Sequence, residues 1–211
     1  AAAFQTAYLT AYVSLVRRGS LKRGETLLVH GSTGGVGMAA VQLGKYLGAK
    51  VIATGTSEEK LKFTTDWGAD HTVLTHKNNV VEFREEVKEL TEGKGADVIY
   101  DPVGGDVFDH SIRCINWGGR LLIVGFASGR IPQLPINMAL IKGFSVIGVR
   151  AGEYGRKDPQ GGAENNQAIR EICEKGHFDP HICKTFPLEE AKSAIEFLSE
   201  RKLIGKVIIK N

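Results

Sequence analysis

Between Leu27 and Lys45 the chain reads LLVHGSTGGVGMAAVQLGK, with four glycines in the seven residues from Gly31 to Gly37. An apolar run precedes them and a helical pattern follows. Backbone N–H groups at a helix start have no intrahelical partner and carry partial positive charge, so such a turn suits an anion. Glycine lets a diphosphate approach the backbone and lets the helix pack close to the strand. The spacing G-x-G-x-x-G is nearly met. Gly34 and Gly37 take the last two places, Ser32 stands where the first glycine belongs, and Gly31 sits one residue early. Serine adopts positive φ less freely than glycine, so the turn should differ slightly from the strict form. The rival P-loop, G-x-x-x-x-G-K-[ST], needs a lysine after its last glycine, where this chain has Met38. A dinucleotide site built on Ser32, Gly34, Gly35, Val36 and Gly37 is the expectation, and a purely structural glycine turn is the alternative.

The end of the next apolar run decides which dinucleotide such a turn prefers. An NAD site places Asp or Glu there, about 20 residues past the glycines, to bind the ribose 2′-hydroxyl. The segment here is Thr54-Gly55-Thr56-Ser57, without an acid at its tip. A carboxylate would repel a 2′-phosphate, and its absence leaves room for one. Lys60, within one helical turn, can supply the countercharge. Gly55, Thr56, Ser57 and Lys60 are therefore candidate contacts, and NADPH is the expected cofactor. The plainer reading makes Ser57 a helix cap, Glu58 and Glu59 acids at the helix's positive end, and Lys60 a solvated charge.

Other chemistry finds little support. His177, His181 and Cys183 are close in sequence, but Pro180 interrupts any helix that would align the histidines, and neither C-x-x-C nor H-E-x-x-H occurs. No metal is expected. No G-x-S-x-G elbow marks a hydrolase nucleophile. Asp101, in YDPVGG, ends a strand where loops often meet a ligand, and a plain turn acid is an equal reading. Hydride transfer asks little of side chains, because the cofactor carries the hydride and the protein supplies orientation and exclusion of water. No catalytic side chain is assigned.

The elements that would position this turn follow from periodicity. Candidate strands are Thr26–His30, Lys50–Thr54, His71–Thr75, Ala96–Asp101, Arg120–Gly125 and Phe144–Val149. Each is nearly all apolar, as strands buried on both faces are. Helical patterns fall between them at Val36–Leu47, Ser57–Trp67, Asn78–Thr91 and Asp106–Ile115. The alternation implies right-handed crossovers and an α/β fold with a doubly wound parallel sheet of six strands, the Rossmann arrangement. Before it, Phe4, Tyr8, Tyr12, Leu15 and Val16 fall near helical spacing. After Val149 the polar, glycine-rich stretch AGEYGRKDPQGGAENN reads as a loop. A helix (Gln167–Lys175), a strand (His181–Phe186), a helix (Leu188–Arg201) and a last strand, GKVIIK, follow. This divides the chain into a linking helix (1–18), a dinucleotide-binding domain (19–149) and a C-terminal extension (150–211).

Composition agrees with a globular protein: 211 residues, 42% hydrophobic and 24% charged, with a formal charge of +3. The charges are interleaved, so neither nucleic acid nor a membrane surface is implied as a partner. No apolar run approaches the ~18 residues of a membrane span. Cys114, Cys173 and Cys183 make no disulfide framework, which suits a cytoplasmic location. The chain starts abruptly at Ala1, inside a helical pattern and without the charged start of a signal peptide, and reads as part of a longer protein.

Four segments carry a resemblance. AYLTAYVSLVRRGSLKRGETLLVHGSTGGVGMAAVQLGKYLGAKVIAT, GADVIYDPVGG, GGRLLIVGFASG and FPLEEAKSAIEFLSERKLIGKVII together resemble the zinc-free quinone oxidoreductase (zeta-crystallin-like) branch of the medium-chain dehydrogenase/reductase family. Gly34-Gly35-Val36-Gly37 matches the family's G-G-V-G. The resemblance implies that Thr10 sits near the nicotinamide, flanked by Val103 and by Gly125, Phe126 and Ala127. It places Lys60 and Arg201 where some members bind the 2′-phosphate, and His76 where a tyrosine often does. It implies a homodimer paired through the edge strand Phe144–Val149, and an N-terminal substrate domain that this sequence lacks. The implied activity is hydride transfer from NADPH to a quinone or related enone, this chain being the cofactor-binding part. The alternatives are a module that holds NADPH without turnover, and an enoyl-thioester or alkenal reductase of the same family.

Overall fold

The computed structural model describes residues 2–75, 80–200 and 203–210. Six strands, β1 (Thr26–Val29), β2 (Lys50–Gly55), β3 (His71–Leu74), β4 (Ala96–Asp101), β5 (Ile115–Ile123) and β6 (Ser145–Gly148), pair in parallel in the order β3-β2-β1-β4-β5-β6. This is the doubly wound sheet that the sequence implies. Strand side chains alternate between faces, and the core divides accordingly. Leu27, Val29, Val51, Ala53, Val98 and Tyr100 join one cluster with Tyr8, Ala40 and Leu43. Leu28, Ile52, Ile99 and Leu121 join the other with Phe83, Val87, Phe108 and Ile112.

The first helix, α1 (Gln5–Tyr12), runs into a π-helical turn (Val13–Arg18) that closes with Gly19 N–H on Ser14 O at 2.7 Å. It lies against α2 (Gly35–Tyr46), where Tyr8 donates to Gln42 Oε1 at 2.6 Å. Next come α3 (Glu58–Asp66), α4 (Val80–Leu90) and α5 (Gly105–Ser111). The expected start of the helix before Thr91, at Asn78, lies outside the described residues.

Three expectations need correction. The helix expected over Asp106–Ile115 is the shorter α5, because β5 starts at Ile115, five residues before the expected Arg120. Gly118, at φ +69°, and Gly119 interrupt the apolar pattern without ending the strand. The stretch expected as a loop after Val149 is instead helical: after α6 (Ile136–Lys142) and β6 come α7 (Ala151–Lys157) and α8 (Pro159–Glu174). Its glycines serve packing. A Cβ on Gly162 would stand 2.7 Å from Gly155 Cα, so the two helices meet backbone to backbone. Asp158 caps α8 by accepting from Gly161 N–H at 2.9 Å, and Pro159 occupies the first turn, where its missing N–H costs nothing. Buried Asn165 is held by Arg17 Nε at 2.7 Å. Finally, the helix expected over Leu188–Arg201 is a 3₁₀ turn at Leu188–Glu190 followed by α9 (Ala191–Ser199).

The C-terminal strands β7 (Ile182–Pro187) and β8 (Lys206–Lys210) form a separate two-stranded parallel sheet. Among the described residues no helix is long and apolar enough to cross a membrane.

Candidate functional site

Chain order reverses between β1 and β4, which are neighbours in the sheet. In a doubly wound sheet the crevice beyond the carboxyl ends of such a strand pair takes the ligand. Two loops border it here. The glycine turn follows β1, and the segment from Asp101 to Gly105 follows β4.

Positive φ in the turn falls on Gly31, at +57°, which leaves Ser32 free of that demand. This is why serine is tolerated at the strict motif's first glycine. Both donors of Ser32 go to one acceptor: its N–H meets Thr54 O at 3.0 Å and its hydroxyl meets the same oxygen at 2.9 Å. Ser32 is fully buried, shaping the turn against β2 and leaving the crevice side to the glycines. Gly34 N–H closes the turn on Gly31 O at 3.0 Å. Gly34 then caps α2 in an extended conformation without a side-chain bond, and the first helical bond is Met38 N–H to Gly34 O at 2.8 Å. The amides of Gly35, Val36 and Gly37 come before that bond and have no intrahelical acceptor. Gly37 is required by contact, since a Cβ there would lie 2.6 Å from Ser32 Cα.

The far side of the turn meets β2. A Cβ on Gly55 would lie 3.6 Å from Thr33 Cγ2. Ser57 caps α3 by accepting from Lys60 N–H at 3.4 Å, and the Lys60 ammonium donates to Leu203 O at 3.3 Å. Thr56 is exposed. His76 and Arg201 lie outside the described residues.

On the β4 side, Asp101 is a turn-building acid. Its Oδ1 accepts from Val103 N–H at 2.8 Å and Gly104 N–H at 2.9 Å. Burial pushes its carboxyl pKa up, against the pull of those two amides. The loop so fixed reaches the glycine turn, with Val103 Cγ2 standing 3.3 Å from where a Cβ on Gly31 would be. Gly125 N–H donates to Asp101 O at 3.3 Å and Ala127 N–H to Pro102 O at 3.0 Å, so the loop after β5 stacks on the same segment, with Phe126 exposed beside Gly104. The structure thus gathers Ser32–Gly37, Gly55, Val103 and Gly125–Ala127 around one crevice. Thr10 is half-buried on α1, and its hydroxyl donates locally to Thr6 O at 2.7 Å.

Two groups at this site were not singled out by the sequence reading. His30 directly follows β1, fully buried, with Nε2 2.8 Å from Ser111 Oγ and Nδ1 2.8 Å from Thr54 Oγ1. Ser111 donates its own proton to Val107 O at 2.7 Å. It must therefore accept from His30 Nε2–H, which leaves Nδ1 to accept from Thr54. Burial pushes the ring's pKa down to about 3, so the imidazole is neutral. The only sequence signal was a lone polar residue closing an apolar strand. The second group is Lys206, whose side chain lies over Gly35, 171 residues earlier in the chain. No spacing in the sequence announces that contact.

Residues 35–168, more than half of the chain, match the family described as "Zinc-binding dehydrogenase". The chain belongs to that family. Its curated relatives include a quinone oxidoreductase-like protein 2 homolog from Nematostella vectensis, 39% identical over 99% of this chain and 57% of the relative. They also include a 2-haloacrylate reductase from Burkholderia sp, 30% identical over 95% of this chain and 60% of the relative. Among solved structures, a mycobacterial protein complexed with NADPH superposes with a TM-score of 0.92 at 28% identity, covering 100% of this chain and 64% of the other. The chain therefore spans about three fifths of the length of these three proteins. The zinc in the family's name finds no ligand set here: among the described residues no three His, Cys, Asp or Glu side chains are grouped to hold a metal ion. Cys114 is buried, and its pKa is pushed up to about 12 by that burial, far from a metal-binding thiolate.

Proposed function

We propose that this dehydrogenase-family chain is the NADPH-binding part of an oxidoreductase that reduces a quinone or a related enone. The observation that carries the reading is the turn between β1 and α2. It presents the amides of Gly35, Val36 and Gly37 at the sheet's switch point, and the neighbouring end of β2 bears no acid. When bound, NADPH supplies the hydride. The residues of the chain do the rest. Gly34–Gly37 receive the diphosphate, Lys60 and the Gly55–Ser57 segment face the 2′-phosphate, and Val103 with Gly125–Ala127 wall the nicotinamide end. His76 and Arg201 belong to the 2′-phosphate end and Thr10 to the nicotinamide end in the same reading. The relatives' names support a reductase, and the mycobacterial complex supports NADPH as the cofactor.

Calorimetric titration tests the cofactor half of the proposal. NADPH should bind more tightly than NADH, and Lys60→Ala should shrink the gap. Equal affinity for the two cofactors ends the reading. Steady-state oxidation of NADPH with a simple quinone tests the rest. Turnover by the 211-residue chain makes it a reductase in its own right, whereas tight binding without turnover makes it a cofactor module. The 2-haloacrylate reductase among the relatives favours a second acceptor class, activated alkenes, and a panel of quinones, enones and enoyl thioesters separates the two.

The open edge of β6 supports a further part of the proposal, that two copies pair there to form a homodimer. The C-terminal extension (150–211) is proposed to dock against the part of the protein that lies beyond this match.

A further inference from the structure

We infer that the protein carries a second anion site, between the carboxyl ends of α4, α5 and α6, which takes a phosphate monoester of a small organic molecule. It lies at the amino ends of the strands, opposite the cofactor crevice, and does not depend on the dinucleotide reading. A cavity of about 340 Å³ opens there beside the starts of β4 and β5, within the ~300–1,000 Å³ typical of small-molecule sites. Four cations line it from four separate segments: Lys88 on α4, Lys94 before β4, Arg113 before β5 and Lys142 at the end of α6. No carboxylate among the described residues lines it, and Trp117 and Ile141 give it an apolar wall. Asn116, also in the lining, donates to Asp97 Oδ1 at 2.7 Å, and Asp97 Oδ2 accepts from Thr26 N–H at 2.8 Å, so that nearby acid is already engaged.

The plainer reading makes these cations partners of the helix carbonyl ends, which carry partial negative charge. Lys142 does serve that role: Nζ donates to Arg113 O at 2.9 Å, Ile115 O at 3.1 Å and Ile112 O at 3.5 Å. The other three do not. Lys88 and Lys94 meet exposed carboxylates of their own segments, Glu85 at 3.6 Å and Glu92 at 3.4 Å, pairs worth little in solvent. The Arg113 guanidinium has neither hydrogen bond nor ion pair among the described residues. The cations also act on one another. Burial chiefly, and then Lys88 and Arg113, push the Lys142 pKa down, with Cys114 opposing. Backbone donors are spent here: Gly93 N–H on Lys88 O at 2.7 Å, Cys114 N–H on Ser111 O at 3.1 Å and Gly95 N–H on Thr91 Oγ1 at 2.9 Å. Recognition therefore falls to side-chain charge. Like charges gathered without an acid among them favour a dianion, and a phosphate monoester carries about two negative charges at neutral pH. The Arg113 fork and the lysine ammonium groups suit its oxygens, and the Trp117–Ile141 wall takes the organic part.

Calorimetry tests this on the chain saturated with NADPH, so that the crevice is filled, with phenyl phosphate, inorganic phosphate and benzoate as probes. Phenyl phosphate should bind saturably, about fivefold more tightly than inorganic phosphate because of the apolar wall. Benzoate, with a single charge, should bind at least about tenfold more weakly than phenyl phosphate. The double variant Lys94→Gln/Arg113→Gln changes two exposed side chains. It should weaken phenyl phosphate at least about tenfold, the size of one hydrogen bond to a charged group, and leave NADPH affinity unchanged. Wild-type phenyl phosphate affinity in the double variant, or no saturable binding by the wild type, overturns the site. Benzoate binding as tightly as phenyl phosphate overturns the dianion, and inorganic phosphate binding as tightly overturns the ester. A wild-type chain that does not bind NADPH overturns the cofactor reading alone, and the same titrations are then read on the unliganded chain. There, a loss in Lys60→Ala rather than in the double variant would put the anion in the crevice and overturn this site.

Discussion

Gly37 and Gly31 stand almost in backbone contact: a Cβ on Gly37 would lie 2.3 Å from the Gly31 carbonyl oxygen. Nothing flexible can yield there, so Gly37→Ala must push the first turn of α2 away from β1. The expected cost is about 1–3 kcal/mol of stability, together with loss of NADPH binding as the amides move. Gly34 is different. Its nearest neighbour across the turn is the same oxygen at 3.5 Å, an ordinary contact. Gly34→Ala should therefore fold with a loss under about 1 kcal/mol and still bind NADPH poorly, because in the proposed site the diphosphate takes that space. Urea unfolding and NADPH titration of both variants check this. Wild-type NADPH affinity in Gly34→Ala would remove the diphosphate from this turn.

Asp101 provides a second separation of shape from charge. Its Oδ1 holds the amides of Val103 and Gly104, while Oδ2 is buried without a hydrogen-bond partner among the described residues. Asp101→Asn keeps an acceptor for both amides and should cost less than about 1 kcal/mol. Asp101→Ala strands both donors and should cost about 2–4 kcal/mol. The folded carboxyl has a raised pKa, so the wild type gives up stability as pH rises through that value, and Asp101→Asn should not. Urea midpoints across pH 4–8 report both effects. A pH profile shared by wild type and Asp101→Asn would show that this carboxyl does not titrate differently on folding.

Much of this was legible in the sequence, for a physical reason. Strands buried on both faces are apolar throughout, so β1, β2 and β4 announced themselves, and glycines between strand and helix announced the turn. Failure came where one residue type serves two ends. Gly155, Gly161 and Gly162 read as loop formers by local propensity, but their lack of side chains is what lets α7 and α8 meet. Tertiary packing outweighs about 1 kcal/mol of helix propensity per glycine. Gly118 and Gly119 masked the start of β5 in the same way. In the site, Ser32 Oγ donates to Thr54 O, a contact that needs three-dimensional adjacency to see. Lys206 meets Gly35 only because β8 returns to the turn, and no local pattern encodes a return.

The buried histidine makes stability depend on pH in the opposite sense to Asp101. His30 is neutral when folded, with its pKa pushed down to about 3 by burial, and regains its ordinary value near 6.5 when unfolded. Between those values the unfolded chain binds the extra proton, so stability is full above the unfolded pKa and falls as pH drops below it. The slope approaches about 1.4 kcal/mol per pH unit, which makes about 2 kcal/mol between pH 7 and pH 5. His30→Gln removes the titrating group while keeping a donor and an acceptor for Ser111 and Thr54. It should be less stable than wild type at pH 7 and should lose less on going to pH 5. Chemical denaturation at the two pH values measures this, and an identical fall in both proteins would exclude His30 as the source.

The proposed homodimer can be tested at the sheet's open edge. β6 pairs with β5 on one side, and its other side is the sheet's edge, where Arg18 Nε donates to Gly148 O at 3.3 Å and no strand pairs among the described residues; such an edge invites a second strand. Beside it α6 buries none of its residues, with Leu140 83% exposed and Ile136 75% exposed, and Trp117 is 75% exposed near the same edge. A twofold axis through β6 would pair the strand with its own copy and cover these side chains against each other, since a self-complementary patch is what such symmetry needs. The pairing should show as a dimer in sedimentation at micromolar concentration. Leu140→Lys places a charge at the centre of the apolar patch and should weaken association by at least about tenfold, the loss typical of a central interface residue. Val146→Pro removes an edge donor and should do the same by a different route, through the backbone rather than the patch. If Leu140→Lys dissociates the pair and Val146→Pro leaves it intact, the two copies meet through α6 and the sheets do not join. A wild-type chain that sediments as a monomer at every concentration leaves the edge to some other partner.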